Sequence, residues 1–249
     1  MFSKSIILLF IMLSINRAQG NLIPNVTVDD LHVCTVASYR TQNLEKLLLS
    51  CTQHHIDLEV LGMGMLNYTH GDKLRYMAQY LKTLDDHEIV MFVDAFDVLI
   101  VADKALILKK FIEMNTPFLM SAEKNCYPAH LISRYPSNSH PFQYINSGSY
   151  IGYVKNLKEW LDDLELNAEI RCDQGLISEH YLNGNVFFDL DYGCELFLPL
   201  YLVKKSEISI DFRNKTVRCL TTQSEPCAIH ANGHSFRFWD IIYKKLIAQ

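Results

Sequence analysis

Two acidic residues, three positions apart, directly follow the most apolar run of the sequence. Residues 88–93 read EIVMFV, and Asp94 and Asp97 come immediately after them. A run of this kind predicts a central strand covered on both faces, and ligands bind at the carboxyl ends of such strands in open α/β sheets. The two carboxylates are suited to a hard divalent cation such as Mn²⁺ or Mg²⁺, which would bridge to phosphate oxygens. The alternative is that one Asp caps a turn and the other is solvated.

A second polar cluster occurs late in the sequence. His230 ends an apolar run and is followed closely by Asn232 and Gly233. An imidazole can supply a third metal ligand, and an Asn-Gly pair can place backbone amides on a tight turn. The apolar residues 98–100 favour a site inside the core over one at a loop tip. A histidine with this flank is also typical of a hydrogen-bonded core residue, so the residues alone leave both interpretations open.

Alternating strand and helix patterns surround the acidic pair. Compact apolar runs predict strands at residues 31–37, 56–61, 88–93, 118–121, 144–154, 186–190 and 195–200. Helical spacing predicts helices at residues 43–51, 71–84, 106–114, 157–166 and 174–182. Residues 127–142 contain three prolines and predict an ordered loop, whereas the last third of the chain is less regular. The alternation predicts one α/β domain with a mostly parallel central sheet.

The first twenty residues have the pattern of a targeting segment. Lys4 precedes an unbroken apolar run at residues 6–13, and small residues follow at positions 18 and 20. This pattern predicts a signal peptide at residues 1–20 and a mature domain at residues 21–249. The apolar run is far shorter than the roughly 18 residues that span a bilayer, so we expect no membrane span after cleavage. An uncleaved anchor and a buried N-terminal strand are the alternatives.

Composition also bears on the compartment and on the partners. The chain has 249 residues, a formal net charge of -5 and scattered Lys and Arg, which argues against a nucleic-acid-binding protein. Its seven cysteines form no CxxC pair, and N-glycosylation sequons begin at Asn25, Asn67 and Asn214. We therefore expect the secretory pathway, either the endoplasmic reticulum lumen or secretion, with some disulfides of open connectivity. The sequence leaves both a monomer and a dimer open.

Several short blocks of the sequence resemble one known family. They lie, in order, at residues 35–38, 60–62, 71–76, 91–98, 121–128, 144–152, 173–174, 190–191 and 229–233. Their order and spacing are similar to those of the N-terminal glycosyltransferase domain of the multifunctional procollagen lysyl hydroxylases. The resemblance covers nearly all of the chain after residue 20 and implies a glycosyltransferase A-type fold, which is Rossmann-like.

The resemblance also implies a set of binding residues. It implies Mn²⁺ held by Asp94, Asp97 and His230. Uridine and ribose of a UDP-sugar would lie against Val36, Ala37, Ser38, Ala95 and Phe96. The diphosphate would be met by Lys73 and by the turn formed by Gly233, His234 and Ser235. From the residues alone, a helical lysine such as Lys73 is more often solvated.

The resemblance implies two further residues that face the transferred sugar. These are Asn146 and Asp173, although an Asp at a helix start is often only an N-cap, and residues 146–148 are equally consistent with a turn. Tyr39, Tyr127 and Tyr150 are interpreted as packing residues. The chain departs from the family by a shortened loop at residues 67–70 and at Phe96 (family Tyr), Tyr127 (family Trp), Ala231 (family Gly) and Cys172 (family acidic residue).

The resemblance implies an activity with a specific donor and acceptor. It implies transfer of glucose or galactose from a UDP-sugar to hydroxylysine or galactosyl-hydroxylysine of collagen-like or other secreted proteins, with retention of configuration for glucose. The alternative is a catalytically weak or inactive UDP-sugar-binding module of the same fold. A third interpretation, a metal-dependent hydrolase using Asp94 and Asp97, requires a positioned base that the sequence does not identify.

Overall fold

A computed structural model describes residues 26–166 and 170–248. The predicted signal peptide at residues 1–20 and the sequon residue Asn25 lie outside the described residues. Within those ranges, none of the helices is both long enough and apolar enough to cross a membrane.

The described residues contain eleven strands. Their bounds are β1 Leu31–Val36, β2 Leu58–Leu61, β3 Ile89–Val93, β4 Val98–Ile100, β5 Phe118–Glu123, β6 Tyr144–Tyr153, β7 Asp189–Asp191, β8 Phe197–Pro199, β9 Ile208–Asp211, β10 Thr216–Cys219 and β11 Ala228–His230. Six strands form the central sheet in the order β2-β1-β3-β6-β5-β7. Within that sheet only β6 is antiparallel to its neighbours. The predicted α/β fold with a mostly parallel sheet is confirmed.

Six α-helices connect or cover the strands. They are α1 Gln42–Gln53, α2 His70–Leu81, α3 Lys104–Glu113, α4 Val154–Asp163, α5 Asp173–Leu182 and α6 Phe236–Leu246. The first five fall where helical spacing predicted them. Helix α1 begins after Thr41, whose hydroxyl accepts a hydrogen bond from the Leu44 backbone N–H at 3.0 Å, an N-cap of the usual kind. Asp103 caps α3 in the same way through Leu106.

Two smaller sheets were not predicted, although β8 lies within the strand predicted at residues 195–200. Strands β4, β11 and β8 form a three-stranded sheet in that order, and β9 and β10 form an antiparallel hairpin. The strands of the three-stranded sheet are only three residues long, and β4 pairs with residues about 130 positions later in the chain. Runs this short carry no readable periodicity. Residues 146–148 lie inside β6, so the alternative that they form a turn is wrong.

The core packs large aromatic side chains against one face of the central sheet. Trp160 of α4 lies against Phe118 and Tyr150, with ring centroids 5.0 and 5.4 Å apart, and Phe92 stacks on Tyr150 at 4.9 Å. All four residues are fully buried. Each such side chain removes about 150–250 Å² from water, which favours folding by roughly 4–6 kcal/mol at about 25 cal/mol per Å². This rigid cluster supports the strands whose ends carry the polar residues.

Candidate functional site

The acidic pair lies in the short turn that joins β3 to β4. Asp94 directly follows β3, and its backbone N–H donates to the Gly148 carbonyl of β6 at 2.8 Å. Asp97 directly precedes β4, and its carbonyl accepts from the Ala231 backbone N–H at 2.7 Å. The turn is therefore held by the central sheet at one end and by the three-stranded sheet at the other. Both carboxylates remain partly exposed, so a cation can reach them.

His230 is brought to this turn by the three-stranded sheet. It is the last residue of β11 and pairs in register with Val98 of β4. Its Nε2 atom lies 3.2 Å from Asp97 Oδ2 and 3.8 Å from Asp94 Oδ2. One ligand atom from each of the three residues lies within 4.8 Å of the others. Two carboxylates and an imidazole at this spacing fit a single divalent cation.

Asn146 of β6 fixes the ring of His230. The Asn146 Oδ1 atom accepts from the Gly148 backbone N–H at 3.1 Å and lies 3.0 Å from His230 Nδ1. Because a backbone N–H can only donate, the atom facing it is the amide oxygen, and His230 Nδ1 must carry the proton. Burial opposes a positive charge on His230, but the carboxylates of Asp97 and Asp94 outweigh burial and raise the pKa of His230, so without a cation Nε2 also carries a proton, which it donates to Asp97 at 3.2 Å. In the neutral ring, Nε2 would instead offer its lone pair to a cation held by the carboxylates. This is the arrangement that orients metal-bound histidines.

Glu123 connects four segments behind the candidate metal ligands. This buried residue ends β5, and its carboxylate accepts from Asn146 Nδ2 at 2.9 Å, Gln174 Nε2 at 2.9 Å and Asn232 Nδ2 at 2.8 Å. Burial raises the pKa of Glu123, and the three donors oppose that rise. Glu123 was not among the site residues predicted from the sequence. One signal for it was available in the sequence, because Glu123 lies in the block at residues 121–128 that resembles the known family.

Gly148 packs directly against two of the candidate metal ligands, Asp94 and His230. A Cβ atom at this position would lie 2.6 Å from Asp94 Oδ2 and 2.9 Å from His230 Nδ1, and nearer still to His230 Cε1. Any side chain would therefore displace the ligands. Position 148 requires glycine because the backbone there lies too close to Asp94 and His230 to leave room for a side chain.

Lys73 of α2 lies between Asp94, a candidate metal ligand, and Asp173. Its Nζ atom is 3.0 Å from Asp94 Oδ1 and also forms an ion pair with Asp173, and the lysine is only 5% exposed. Burial opposes its charge, but the carboxylates of Asp173 and Asp94 outweigh burial and raise the pKa of Lys73 well above its usual value. The alternative of a solvated helical lysine is wrong.

Asp173 is the first residue of α5, but it does not cap the helix. The capping position is held by Cys172, whose Sγ atom accepts from the Gly175 backbone N–H at 3.2 Å. The carboxylate of Asp173 is instead buried against Lys73. Burial alone would raise the pKa of Asp173, but the charge and hydrogen bond of Lys73 outweigh burial and hold it below its usual value. Asp173 is therefore an ionised group beside the candidate metal centre.

The residues predicted to contact uridine lie at two neighbouring strand ends. Val36 ends β1 and is followed by Ala37 and Ser38, while Ala95 and Phe96 lie in the turn between the two aspartates. The ring of Tyr39 is 5.7 Å from that of Phe96, at 32°. The expectation that the three tyrosines pack inside the core holds for Tyr150, but Tyr39 is 62% exposed and Tyr127 56% exposed.

The predicted turn before α6 is also present. Gly233 adopts a φ of 62°, which favours glycine, and Ser235 Oγ donates to the Asn232 carbonyl at 2.7 Å. His234 and Ser235 line a cleft of about 470 Å³ together with Tyr201, Lys205 and other residues. The Asn232 side chain accepts from the Tyr201 backbone N–H at 2.9 Å and donates to Glu123, so this turn is joined to the metal-ligand network.

The fold and the cluster at its sheet edge define the class of protein. The structure is similar to a crystal structure described as a glycosyltransferase involved in the glycosylation of the major capsid of PBCV-1. The TM-score is 0.51 at 12% sequence identity, with 86% of this chain and 98% of that chain covered. At this identity the likeness shows the fold alone, which is the glycosyltransferase A type.

The sequence identifies the family within that class. Residues 27–241 match the family described as the PLOD GT domain, and the chain belongs to this glycosyltransferase family. It is 26% identical to multifunctional procollagen lysine hydroxylase and glycosyltransferase LH3 of Homo sapiens, over 84% of this chain and 30% of that protein. It is 30% identical to the multifunctional procollagen lysine hydroxylase and glycosyltransferase of Caenorhabditis elegans, over 83% of this chain and 31% of that protein. The chain thus spans about a third of the length of these relatives.

Proposed function

We propose that this chain is a metal-dependent hexosyltransferase that uses UDP-glucose or UDP-galactose. The proposed acceptor is hydroxylysine or galactosyl-hydroxylysine of collagen-like or other secreted proteins. The observation that carries the proposal is the cluster of Asp94, Asp97 and His230 beside the buried Lys73–Asp173 ion pair. The names of the relatives, which combine procollagen with glycosyltransferase, support the donor and acceptor classes.

The cluster fits Mn²⁺ or Mg²⁺, since carboxylate oxygens and a neutral imidazole nitrogen suit both the charge and the size of these ions. Asp94, Asp97 and His230 would hold the cation. When bound, the cation supplies positive charge that stabilises the diphosphate of the donor and of the leaving UDP. Asn146 keeps His230 in the tautomer that can bind metal, and Glu123 holds Asn146 in place.

Asp173 is the residue we propose to act on the transferred sugar. It is ionised and lies next to the metal ligands, so it can stabilise positive charge that develops at the anomeric carbon or accept a hydrogen bond from the acceptor. Lys73 bridges Asp173 and Asp94, and its charge lies between the sugar side and the diphosphate side of the site. Asn146 is also predicted to face the sugar, and it borders both the sugar side and the diphosphate side of the site.

The donor nucleoside is proposed to lie between two aromatic rings and the end of β1. Uridine and ribose could come close to the protein at four small side chains, those of Val36, Ala37, Ser38 and Ala95. Phe96 offers a stacking face, and Tyr39 adds a second, exposed ring beside it. The turn from Gly233 to Ser235 is proposed to contact the diphosphate through backbone N–H groups.

A binding module without transfer activity is the second candidate, and two observations favour it. Cys172 occupies the position before Asp173, and the carboxylate of Asp173 is already paired with Lys73. A site of this kind could bind a UDP-sugar and leave it unreacted.

Two measurements test the proposal and separate the candidates. Calorimetry with UDP in Mn²⁺ and in EDTA should show binding that requires the metal, and Asp97→Ala should abolish that difference. UDP release from UDP-glucose and UDP-galactose is then followed with and without a galactosyl-hydroxylysine peptide or a hydroxylysine peptide. A transferase releases UDP only with acceptor, a hydrolase releases it without acceptor, and a binding module binds UDP but releases none. Equal UDP affinity in Mn²⁺ and EDTA would contradict the metal assignment.

Passage through the secretory pathway is part of the proposal and has its own test. Expression in a secretory host should give a product that begins near Asn21 and shifts on glycosidase treatment, because three sequons are available. A secreted or luminal product that retains Met1 and carries no glycan would contradict it.

A further inference from the structure

An exposed histidine lies beside the carboxylate that we propose to act on the sugar. His70 is the first residue of α2, and Asp173 is the first residue of α5. His70 Nδ1 lies 4.0 Å from Asp173 Oδ1, while Asp173 Oδ2 forms the ion pair with Lys73. The His70 side chain is 64% exposed, whereas that of Asp173 is 8% exposed. The pair therefore joins a buried, ionised carboxylate to an imidazole that a second substrate can reach.

The backbone at the start of α2 is fixed on both sides of His70. Thr69 and Asp72 form a capping box, in which the Thr69 backbone N–H and hydroxyl donate to Asp72 Oδ2 at 2.7 and 2.8 Å. Gly71 packs against Ile170, in the segment that leads into α5, and a Cβ atom on Gly71 would lie 2.7 Å from the Ile170 side chain. This packing holds the starts of α2 and α5 next to each other.

Two groups next to this pair stay protonated and cannot serve as a base. Burial opposes the charge of Lys73, but the neighbouring carboxylates raise its pKa well above its usual value. The ring of Tyr68 meets the His70 ring edge-on, with centroids 6.1 Å apart, and burial raises the pKa of Tyr68 to about 12. Both side chains therefore remain proton donors near neutral pH.

The thiol before Asp173 is equally unsuited to accept a proton. Burial raises the pKa of Cys172, and its Sγ atom already accepts from the Gly175 backbone N–H at the start of α5. All seven cysteines lie within the described residues and carry free thiols, so the structure shows none of the disulfides expected from the sequence. His70 is thus the exposed neighbour of Asp173 whose ring nitrogen can take up a proton.

We propose that His70 accepts the proton of the acceptor hydroxyl during transfer and that Asp173 orients its ring. With Nδ1–H directed towards Asp173, Nε2 offers its lone pair to the hydroxyl. The acceptor oxygen forms a bond to the anomeric carbon, and the bond from that carbon to the diphosphate oxygen breaks, with its electron pair leaving on UDP. The hydroxyl proton moves to Nε2 and passes from the exposed ring to solvent. The inference rests on the proposed function, because it names a residue for the same reaction.

The distance between His70 and Asp173 is compatible with this role. A separation of 4.0 Å is longer than a hydrogen bond, and hydrogen bonds that orient a catalytic base often tighten only when substrate binds. Because most of the His70 side chain is exposed, its ring can turn towards Asp173 without displacing core residues.

Kinetics of His70→Ala and His70→Gln test the assignment. Loss of a general base costs about 10²–10⁴-fold in rate, so we expect turnover of both variants to fall within that range while the acceptor KM changes much less. Glutamine can hydrogen-bond the acceptor but cannot take up its proton. The control is His130→Ala, which should match the parent, because the His130 ring is 68% exposed and lies 3.7 Å from Glu179 on the same helix α5.

Added imidazole tests the proton transfer itself. Imidazole from solution can reach the exposed position left in His70→Ala, and turnover of this variant should rise with imidazole concentration. It should not accelerate His70→Gln, where the side chain fills that position. His130→Ala in the same buffer reports any effect of imidazole on Mn²⁺. Calorimetry with UDP and Mn²⁺ should give parental affinity for every variant, which shows that each is folded with its donor site intact.

Several results would overturn the inference. They are turnover of His70→Ala within about threefold of the parent, parental turnover in His70→Gln, and no recovery of His70→Ala by imidazole. A loss of UDP affinity as large as the loss of turnover would also overturn it, because His70 would then belong to the donor site. Failure of the proposed function looks different, since the parent itself would transfer no sugar to either acceptor peptide, and the inference would fall with it.

Discussion

The central sheet and the three-stranded sheet contribute to one site in different ways. The central sheet, with strands β1, β3, β5 and β6, carries Asp94, Glu123 and Asn146 at or near strand ends. The three-stranded sheet is small, and its strand β11 contributes His230. The larger sheet therefore provides most of the polar network, while the smaller one supplies His230 and has Asp97 directly before its strand β4.

The two sheets meet at residues 146–148 of β6. Gly148 of β6 contacts both His230 and Asp94, and Asn146 of the same strand contacts His230 Nδ1. The Lys73–Asp173 pair, by contrast, is formed by helices α2 and α5 that pack beside the central sheet. Changes at Gly148 and Asn146, where the two sheets meet, should therefore weaken metal binding. Changes at Lys73 and Asp173 should instead lower the rate of sugar transfer.

The largest effect is expected for Gly148→Ala. The added methyl group cannot fit beside Asp94 and His230, so the two sheets must separate at the cluster. We expect metal-dependent UDP affinity to fall by about a hundredfold or more, the upper range for a disturbed metal-ligand environment. Calorimetry with UDP and Mn²⁺ measures this. Gly193→Ala is the control, because no atom lies within 3.4 Å of a Cβ there. Affinity of Gly148→Ala within about threefold of the parent would show that the sheets do not meet as tightly as described.

The next largest effect is expected for Asp173→Asn, and it should appear in turnover rather than in UDP affinity. The amide keeps the shape of the side chain but removes the charge near the sugar. We expect turnover to fall by about a hundredfold, with donor affinity changed much less. UDP release with acceptor and calorimetry with UDP separate the two. Glu179→Gln, an exposed change on the same helix, should leave both unchanged.

Turnover of Asp173→Asn within about threefold of the parent would limit Asp173 to balancing the charge of Lys73. The Lys73–Asp173 ion pair would then have only a structural role. The proposed division, with metal binding where the two sheets meet and catalysis at the ion pair, would be wrong.

A smaller effect is expected for Asn146→Ala. Without the amide oxygen, His230 loses the acceptor that fixes its tautomer, and Mn²⁺ affinity should fall about 10–100-fold. A Mn²⁺ titration of UDP-dependent transfer measures this. Saturating Mn²⁺ should restore turnover if Asn146 only positions His230. A deficit that persists at saturation would instead place Asn146 in contact with the sugar.

The contrast between the sheets also explains what the sequence could predict. The central sheet was largely predictable because strands such as β3 lie in continuous apolar runs and alternate with helices that have a 3.6-residue pattern, such as α2. Strands β4 and β11 have three residues each and are defined by pairing with each other across the chain. Local pattern cannot reveal such pairing, so His230 was found through its residue type and the family resemblance. Glu123 was missed because a single acid at a strand end has no distinctive spacing.

The smallest effect is expected for Tyr39→Ala, at the end of the most predictable part of the fold. The sequence predicted strand β1 but not the exposure of the Tyr39 ring that follows it. That exposure depends on the neighbouring turn, which carries Phe96. If the base stacks on this pair, loss of one ring should weaken UDP binding by about 2–13-fold, the equivalent of about 0.5–1.5 kcal/mol for an aromatic contact. Tyr39→Phe keeps the ring and should bind UDP like the parent. Phe96→Ala combined with Tyr39→Ala should cost less than the sum of the single changes, because each ring loses part of its value without the other. Unchanged UDP affinity in Tyr39→Ala would assign base stacking to Phe96 alone and leave Tyr39 as an exposed neighbour of the site.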